Sequence, residues 1–161
     1  MKKLFVFAVL LIATATFAQD KMITKNGKIT FEASVPAFEE VKAKNEAVTC
    51  VVNTKTGEIA SLTLVKGFRF KVALMEEHFN ENYMNSDTYP KSTFKGKILD
   101  FNVDALTATA KEYTMKGKLE LHGKTNELTT TAKIRKTDAG IEIISTFNVN
   151  ASDYDIEIPS V

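Results

Sequence analysis

The feature that most constrains this chain is an apolar/polar alternation with a period of two residues. In the segment 28–35, Ile29, Phe31, Ala33 and Val35 fall on one side, and Lys28, Thr30, Glu32 and Ser34 on the other. Successive side chains of an extended chain point to opposite faces, so this pattern predicts a strand with one wet face and one dry face. The pattern recurs. Segments 47–52 and 59–65 flank 53–57, where Asn53 and Gly57 suit a hairpin loop. Phe68, Phe70 and Val72 alternate with Gly67, Arg69 and Lys71, while Tyr113, Met115, Leu119 and Leu121 share one face. Ile141, Ile143, Phe147 and Val149 share a face in turn, as do Tyr154, Ile156 and Ile158.

Segment 93–103 changes phase, with Phe94 and Ile98 on one face and Leu99, Phe101 and Val103 on the other. A bulge or sharp bend near Ile98 reconciles the two halves, as expected where a sheet curls over. One helix interrupts the strands at 74–84, with Met75, Phe79 and Met84 near one side, and Tyr89-Pro90 bars its continuation. About eight antiparallel strands joined by short turns suit an up-and-down barrel or a sandwich, and the phase change favours the barrel.

Composition narrows the function classes. The 161 residues are 44% hydrophobic and 25% charged, which fits one globular domain and excludes disordered and fibrous classes. Twenty-one Lys and Arg against 20 Asp and Glu leave no cationic field over the molecule, so nucleic acid is not an expected partner. Residues 1–18 read as a cleavable secretory signal: Lys2 and Lys3 precede an apolar run, and Thr16-Phe17-Ala18 offers the small residues of a cleavage site. The apolar run is shorter than a membrane-spanning helix needs. The expected product is a single domain, 19–161, in the periplasm or outside the cell, with no integral membrane segment and an oligomeric state left open. Cys50 is the only cysteine, so it reads either as a small core hydrophobe or as a thiol that pairs with another molecule.

No sequence motif for a reaction is present. The chain lacks a Gly-x-Ser-x-Gly elbow, a Walker loop and a Rossmann glycine pattern. His78 and His122 have no metal-ligand spacing, and Asp153, Asp155 and Glu157 read as a wet acidic stripe. A hydrolase would need tertiary structure to bring His122 together with an acid and a serine. Gly96 and Gly117 both fall on the dry face of their strands, where a glycine marks either a tight bend or volume needed by something else.

Three segments carry a family resemblance. Tyr89-Pro90-Lys91-Ser92-Thr93-Phe94 resembles the aromatic-Pro-x-x-x-Phe segment of YceI-like proteins. Leu119-Glu120-Leu121-His122-Gly123-Lys124-Thr125 is similar to their Leu-x-Leu-His-Gly-x-Thr strand and turn. Ser152-Asp153-Tyr154-Asp155-Ile156 resembles their Ser-Asp-aromatic-Gly-Ile stretch, with Asp155 in place of the glycine. The helix at 74–84 resembles that of a secreted subgroup common in the Bacteroidetes. The chain departs from the family in lacking an early Trp and in stopping at Val161, where members continue into another strand.

The resemblance implies a lipocalin-like antiparallel barrel, and the stop at Val161 leaves it either incomplete at its C-terminal side or closed differently. It also implies an exported protein that holds an isoprenoid or similar amphiphile in its lumen, for storage or transport, without catalysis. No cofactor is implied beyond such a bound polyisoprenoid or other lipid. A prenyl chain gains about 0.8 kcal/mol for each CH₂ removed from water, so a dry lumen needs no paired charges to hold it. The lining residues expected are Phe68, Phe70, Phe94, Tyr113, Met115, Gly117, Leu119, Leu121, Ile141, Ile143 and Phe147, with Met75, Phe79 and Met84 as a helical lid. The alternative is a filled barrel serving as a secreted interaction scaffold, in which the same residues are ordinary core.

Overall fold

The structure is a computed structural model that describes residues 20–33 and 41–158. The expected signal segment and Val35 lie outside the described residues. Eight strands form one sheet: β1 (Lys21–Glu32), β2 (Lys42–Asn53), β3 (Glu58–Leu64), β4 (Arg69–Phe70), β5 (Lys91–Ile98), β6 (Lys111–Leu121), β7 (Lys124–Thr137) and β8 (Gly140–Ser145). The order is β1-β2-β3-β5-β6-β7-β8, antiparallel throughout, with β4 on the far half of β2. Neighbours in sequence are thus neighbours in space, and the sheet curls into a nearly closed barrel with one short helix. β1 and β8 are its two ends, and they approach closely enough that a Cβ on Gly140 would lie 4.0 Å from Met22 Sδ.

Local chemistry sets the turns. Asn53 Oδ1 accepts from the backbone N–H groups of Lys55 and Thr56, both at 3.0 Å, and Gly57 takes φ 74°. Between β6 and β7, His122 and Gly123 take φ 50° and 73°. Two positive φ angles in a two-residue loop match the right-handed twist of the flanking strands. The expected hairpin loop at 53–57 is present, and the turn of the Leu-His-Gly segment is confined to His122-Gly123, with Lys124 already in β7.

Other expectations are narrowed or corrected. Of the two alternatives near Ile98, a bulge and a sharp bend, the chain makes the bend, and β5 ends in it. Asp100 turns the chain with φ 54°, and Phe101 and Val103 reach the core from a loop and a 3₁₀ turn (Val103–Ala105). The change of phase therefore marks a strand end. The irregularity of the sheet lies instead between β1 and β2, where the register slips on both sides of Gly27. Val52 and Val48 are buried in one phase of β2, Asn45 and Ala43 in the other. Asn45 resolves the slip: its Nδ2 donates to Leu64 O at 3.0 Å and its Oδ1 accepts from Ala47 N at 3.0 Å.

Two C-terminal expectations also change. The alternation through Val149 stops at Ser145, and 153–158 is not a strand. In its place stands a 3₁₀ turn (Ala151–Tyr154) followed by Asp155 at φ 53°. The place of the missing strand is taken by β7, the longest in the sheet at 14 residues, which alternation did not pick out. Its inward residues include Asn126, Thr130 and Ala132 beside Leu128 and Ile134, so the polar/apolar contrast is weak. The helix forms as α1 (Ala73–His78) and continues through a wider turn (Phe79–Tyr83), closed by Met84 N donating to Phe79 O at 2.9 Å.

Candidate ligand site in the barrel

The inner face holds one apolar cluster. Val52, Ile59, Phe94, Ile98, Leu106, Met115, Leu119, Ala132, Ile134 and Tyr154 are buried in it, with Tyr113, Leu121, Ile141 and Ile143 half-buried against them. Seven of the expected lining residues thus stand together: Phe94, Tyr113, Met115, Leu119, Leu121, Ile141 and Ile143. Each is there because its strand presents it inward, Ile98 opposite Met115, Phe94 opposite Leu119, and Ile134 opposite Ile143.

Gly117 and Gly96 are directly opposite each other across β5 and β6. A Cβ on either would meet Phe94 Cζ at 2.7 or 2.8 Å and opposing backbone closer still. The volume that the glycines leave is filled by the Phe94 ring, two residues along the same strand face. This aromatic cover restores the burial that a glycine pair gives up in a strand.

A second group of expected residues stands apart. Phe68, Phe70 and Phe79 meet Phe31 in a four-ring cluster, with centroids of the contacting pairs 5.0–5.8 Å apart. Offset and edge-on pairs at such spacings add to the burial of the rings themselves. Phe31 joins from β1; it is not in the expected lining set, although alternation places it on the dry face of its strand. Met84 is buried and Met75 half-buried, while Phe147 lies beyond β8 and is 42% exposed. Beside Phe70 of the four-ring cluster, an open depression of about 550 Å³ is lined by Lys66, Phe70, Glu76, Asn80, Ser86 and Asp87. Its mixed charges, with Arg69–Glu76 paired at 2.9 Å beside it, make it a solvated surface rather than an apolar seat.

The three segments of the family resemblance converge at one corner. The Tyr89 ring sits edge-on to His122 at 4.6 Å, and directly over Gly123, where a Cβ would lie 2.5 Å from it. His122 Nδ1 donates to Tyr154 O at 3.1 Å, and Asn126 Nδ2 donates to Asp153 O at 2.6 Å. Lys124 pairs with Asp155 at 2.8 Å. Burial pushes the Tyr154 hydroxyl above its ordinary pKa, opposed by a hydrogen bond with Asn126 and aided by the Asp153 charge. His122 is thus spent on holding the C-terminal turn against the β6–β7 hairpin. Cys50 lies half-buried on the inner face, and burial raises its thiol pKa. Among the described residues no group of three metal-ligating side chains comes together.

The YceI-like domain model matches residues 12–161. The chain belongs to the YceI-like family. No curated protein matches it in sequence. Among solved structures it is similar to a polyisoprenoid-binding domain from Saccharophagus degradans implicated in plant cell wall breakdown. That match has 14% identity and TM-score 0.72, over 86% of this chain and 82% of the other. It is also similar to BcnA of Burkholderia cenocepacia, at 14% identity and TM-score 0.51, over 85% of this chain and 74% of the other. The YCEI protein of Campylobacter jejuni matches at 14% identity and TM-score 0.51, over 97% of this chain and 76% of the other. At such identities the likeness is one of fold, and this YceI-like chain shares the architecture of a protein described as binding polyisoprenoid.

Proposed function

We propose that this YceI-like protein is exported to the periplasm or beyond, where it holds an isoprenoid or similar amphiphile in its barrel, for storage or transport and without catalysis. The observation that carries the reading is the continuous apolar inner face of a barrel whose end strands β1 and β8 are not paired with each other among the described residues. Tyr113, Leu121, Ile141 and Ile143 are inward yet only half-buried, so apolar surface on β6 and β8 remains for a chain to cover. Burying roughly ten CH₂ groups there would supply about 8 kcal/mol before the cost of immobilising the ligand. Fold similarity to a polyisoprenoid-binding domain supports the same ligand class.

Organic extraction of the protein purified from its native host, followed by mass spectrometry, tests this. A stoichiometric long-chain lipid is expected, and its consistent absence from folded protein overturns the reading. A second reading, a filled barrel acting as a scaffold, is favoured by the Phe94 ring over the glycine pair and by Ile98, which is 0% exposed. That reading expects no lipid and no gain in thermal stability when prenyl alcohols are added.

A further inference from the structure

The outer face of β5 and β6 carries a block of lysines. The register sets Lys95 opposite Lys118 and Lys97 opposite Lys116, on either side of the Gly96–Gly117 pair. Directly opposed side chains start about 5 Å apart, and residues two along a strand about 7 Å apart. All four lysines are exposed. Like charges placed directly opposite destabilise a sheet. Setting lysine opposite lysine therefore costs the fold stability at two adjacent positions.

Acidic residues border the block without neutralising it. Glu58 is opposite Lys97 and Glu127 opposite Lys118, while Glu120 follows Lys118 on the same face. Glu58 accepts from Thr56 Oγ1 at 3.0 Å and Glu120 from Thr93 Oγ1 at 3.3 Å. Among the described residues none of the four lysines is in an ion pair.

The same face continues into an apolar shoulder. Lys95 is opposite Ala60 on the neighbouring strand β3. Leu62 and Leu64, 36% and 52% exposed, follow Ala60 along β3, and Leu64 is opposite a further lysine, Lys91. Unpaired cations beside exposed aliphatic side chains match the two layers of an anionic lipid surface, phosphates outside and acyl chains beneath. A nucleic-acid backbone would leave the leucines without a partner.

We propose that this face docks the protein on an anionic bilayer, Lys95, Lys97, Lys116 and Lys118 meeting lipid phosphates and Leu62 and Leu64 entering the headgroup layer. The surface goes beyond the lipid-carrier reading and does not depend on it: it would bring the barrel to a membrane whatever the barrel holds.

The test is co-sedimentation of the full chain with phosphatidylcholine vesicles, with and without phosphatidylglycerol. The four-site variant K95Q/K97Q/K116Q/K118Q is compared with K25Q/K42Q/K111Q/K136Q, which has the same N-terminus and the same loss of charge on other exposed lysines. Binding to phosphatidylglycerol vesicles is expected to fall with added salt, to weaken on the order of tenfold or more in the first variant, and to persist in the second. Equal loss in both variants, no loss in the first, or equal binding to pure phosphatidylcholine overturns the proposal. So does equally tight, salt-sensitive binding to duplex DNA that the first variant also loses, since that marks a general polyanion surface. If circular dichroism shows the four-site variant unfolded, K95Q/K118Q alone makes the same comparison. Lipid extraction from the unsubstituted chain and from the four-site variant separates the two readings: cargo kept in the variant with docking lost upholds both, and an unsubstituted chain that docks but yields no cargo overturns only the carrier.

Discussion

Gly117 shows how much one residue without a side chain can decide. Any Cβ there would stand 2.4 Å from Lys95 O and 2.6 Å from Gly96 Cα, so the neighbouring strand, and not only the Phe94 ring, would have to move. Gly117→Ala is expected to cost about 1–3 kcal/mol, read as a lower urea midpoint at unchanged slope. Cys50 makes a second residue-scale prediction. Its thiol pKa is raised by burial, so the fold favours the neutral form. The associated stability is present below the thiol's ordinary pKa and is lost as pH rises through the higher folded value. Replacing Cys50 by Ala should flatten that alkaline loss, and Ellman's reagent should react more slowly with the native chain than with the urea-unfolded chain at the same pH. Asp155 is the third case. It stands at φ 53°, where the family motif has glycine, and holds Lys124 through an exposed pair. Releasing backbone strain of about 1 kcal/mol while losing a pair worth about 0–1 kcal/mol, Asp155→Gly is expected to leave stability equal or slightly raised, measured as Tm.

At the scale of elements, legibility followed contrast between the two faces of a strand. β6 was plain because Tyr113, Met115, Leu119 and Leu121 oppose Glu112, Thr114, Lys116, Lys118 and Glu120. β7 escaped because five threonines and an asparagine blur its alternation, and its burial comes from the neighbours that β6 and β8 supply on either side. Tyr154, Ile156 and Ile158 repeat every second residue, yet a 3₁₀ turn buries Tyr154 beneath the β6–β7 hairpin and leaves Ile158 63% exposed. Alternation over a few residues at a chain end records no more than two or three apolar side chains, which a turn can use as well as a strand. The two isoleucines of the β7–β8 pair test this assignment. Ile134 is 1% exposed and Ile144 is 54% exposed. Ile134→Ala should cost about 2–5 kcal/mol and Ile144→Ala about 0.5 kcal/mol or less, compared by thermal unfolding.

For the whole molecule, the decisive quantity is how far the sheet closes. Among the described residues β1 and β8 carry unpaired edges that a fully closed barrel would lack, while β5, β6 and β7 are paired on both sides. Amide exchange should therefore be slowest in the centre of β6 and fastest in β8, and a bound lipid that bridges the ends should slow β8 more than β6. The sequence by itself determined the antiparallel strands with one dry face, the turn at 53–57 and another starting at His122, the helix and the family, because each is written in side-chain periodicity, in turn chemistry or in contiguous motif residues. Only the tertiary structure decided that the glycines are roofed by Phe94, that His122 is occupied by the Tyr154 carbonyl, and that Phe68, Phe70 and Phe79 join Phe31 away from the main core. It also decided which lysines face one another. These are contacts between segments 20 to 50 residues apart or set by strand register, and local periodicity says which face a residue takes but not what stands across from it.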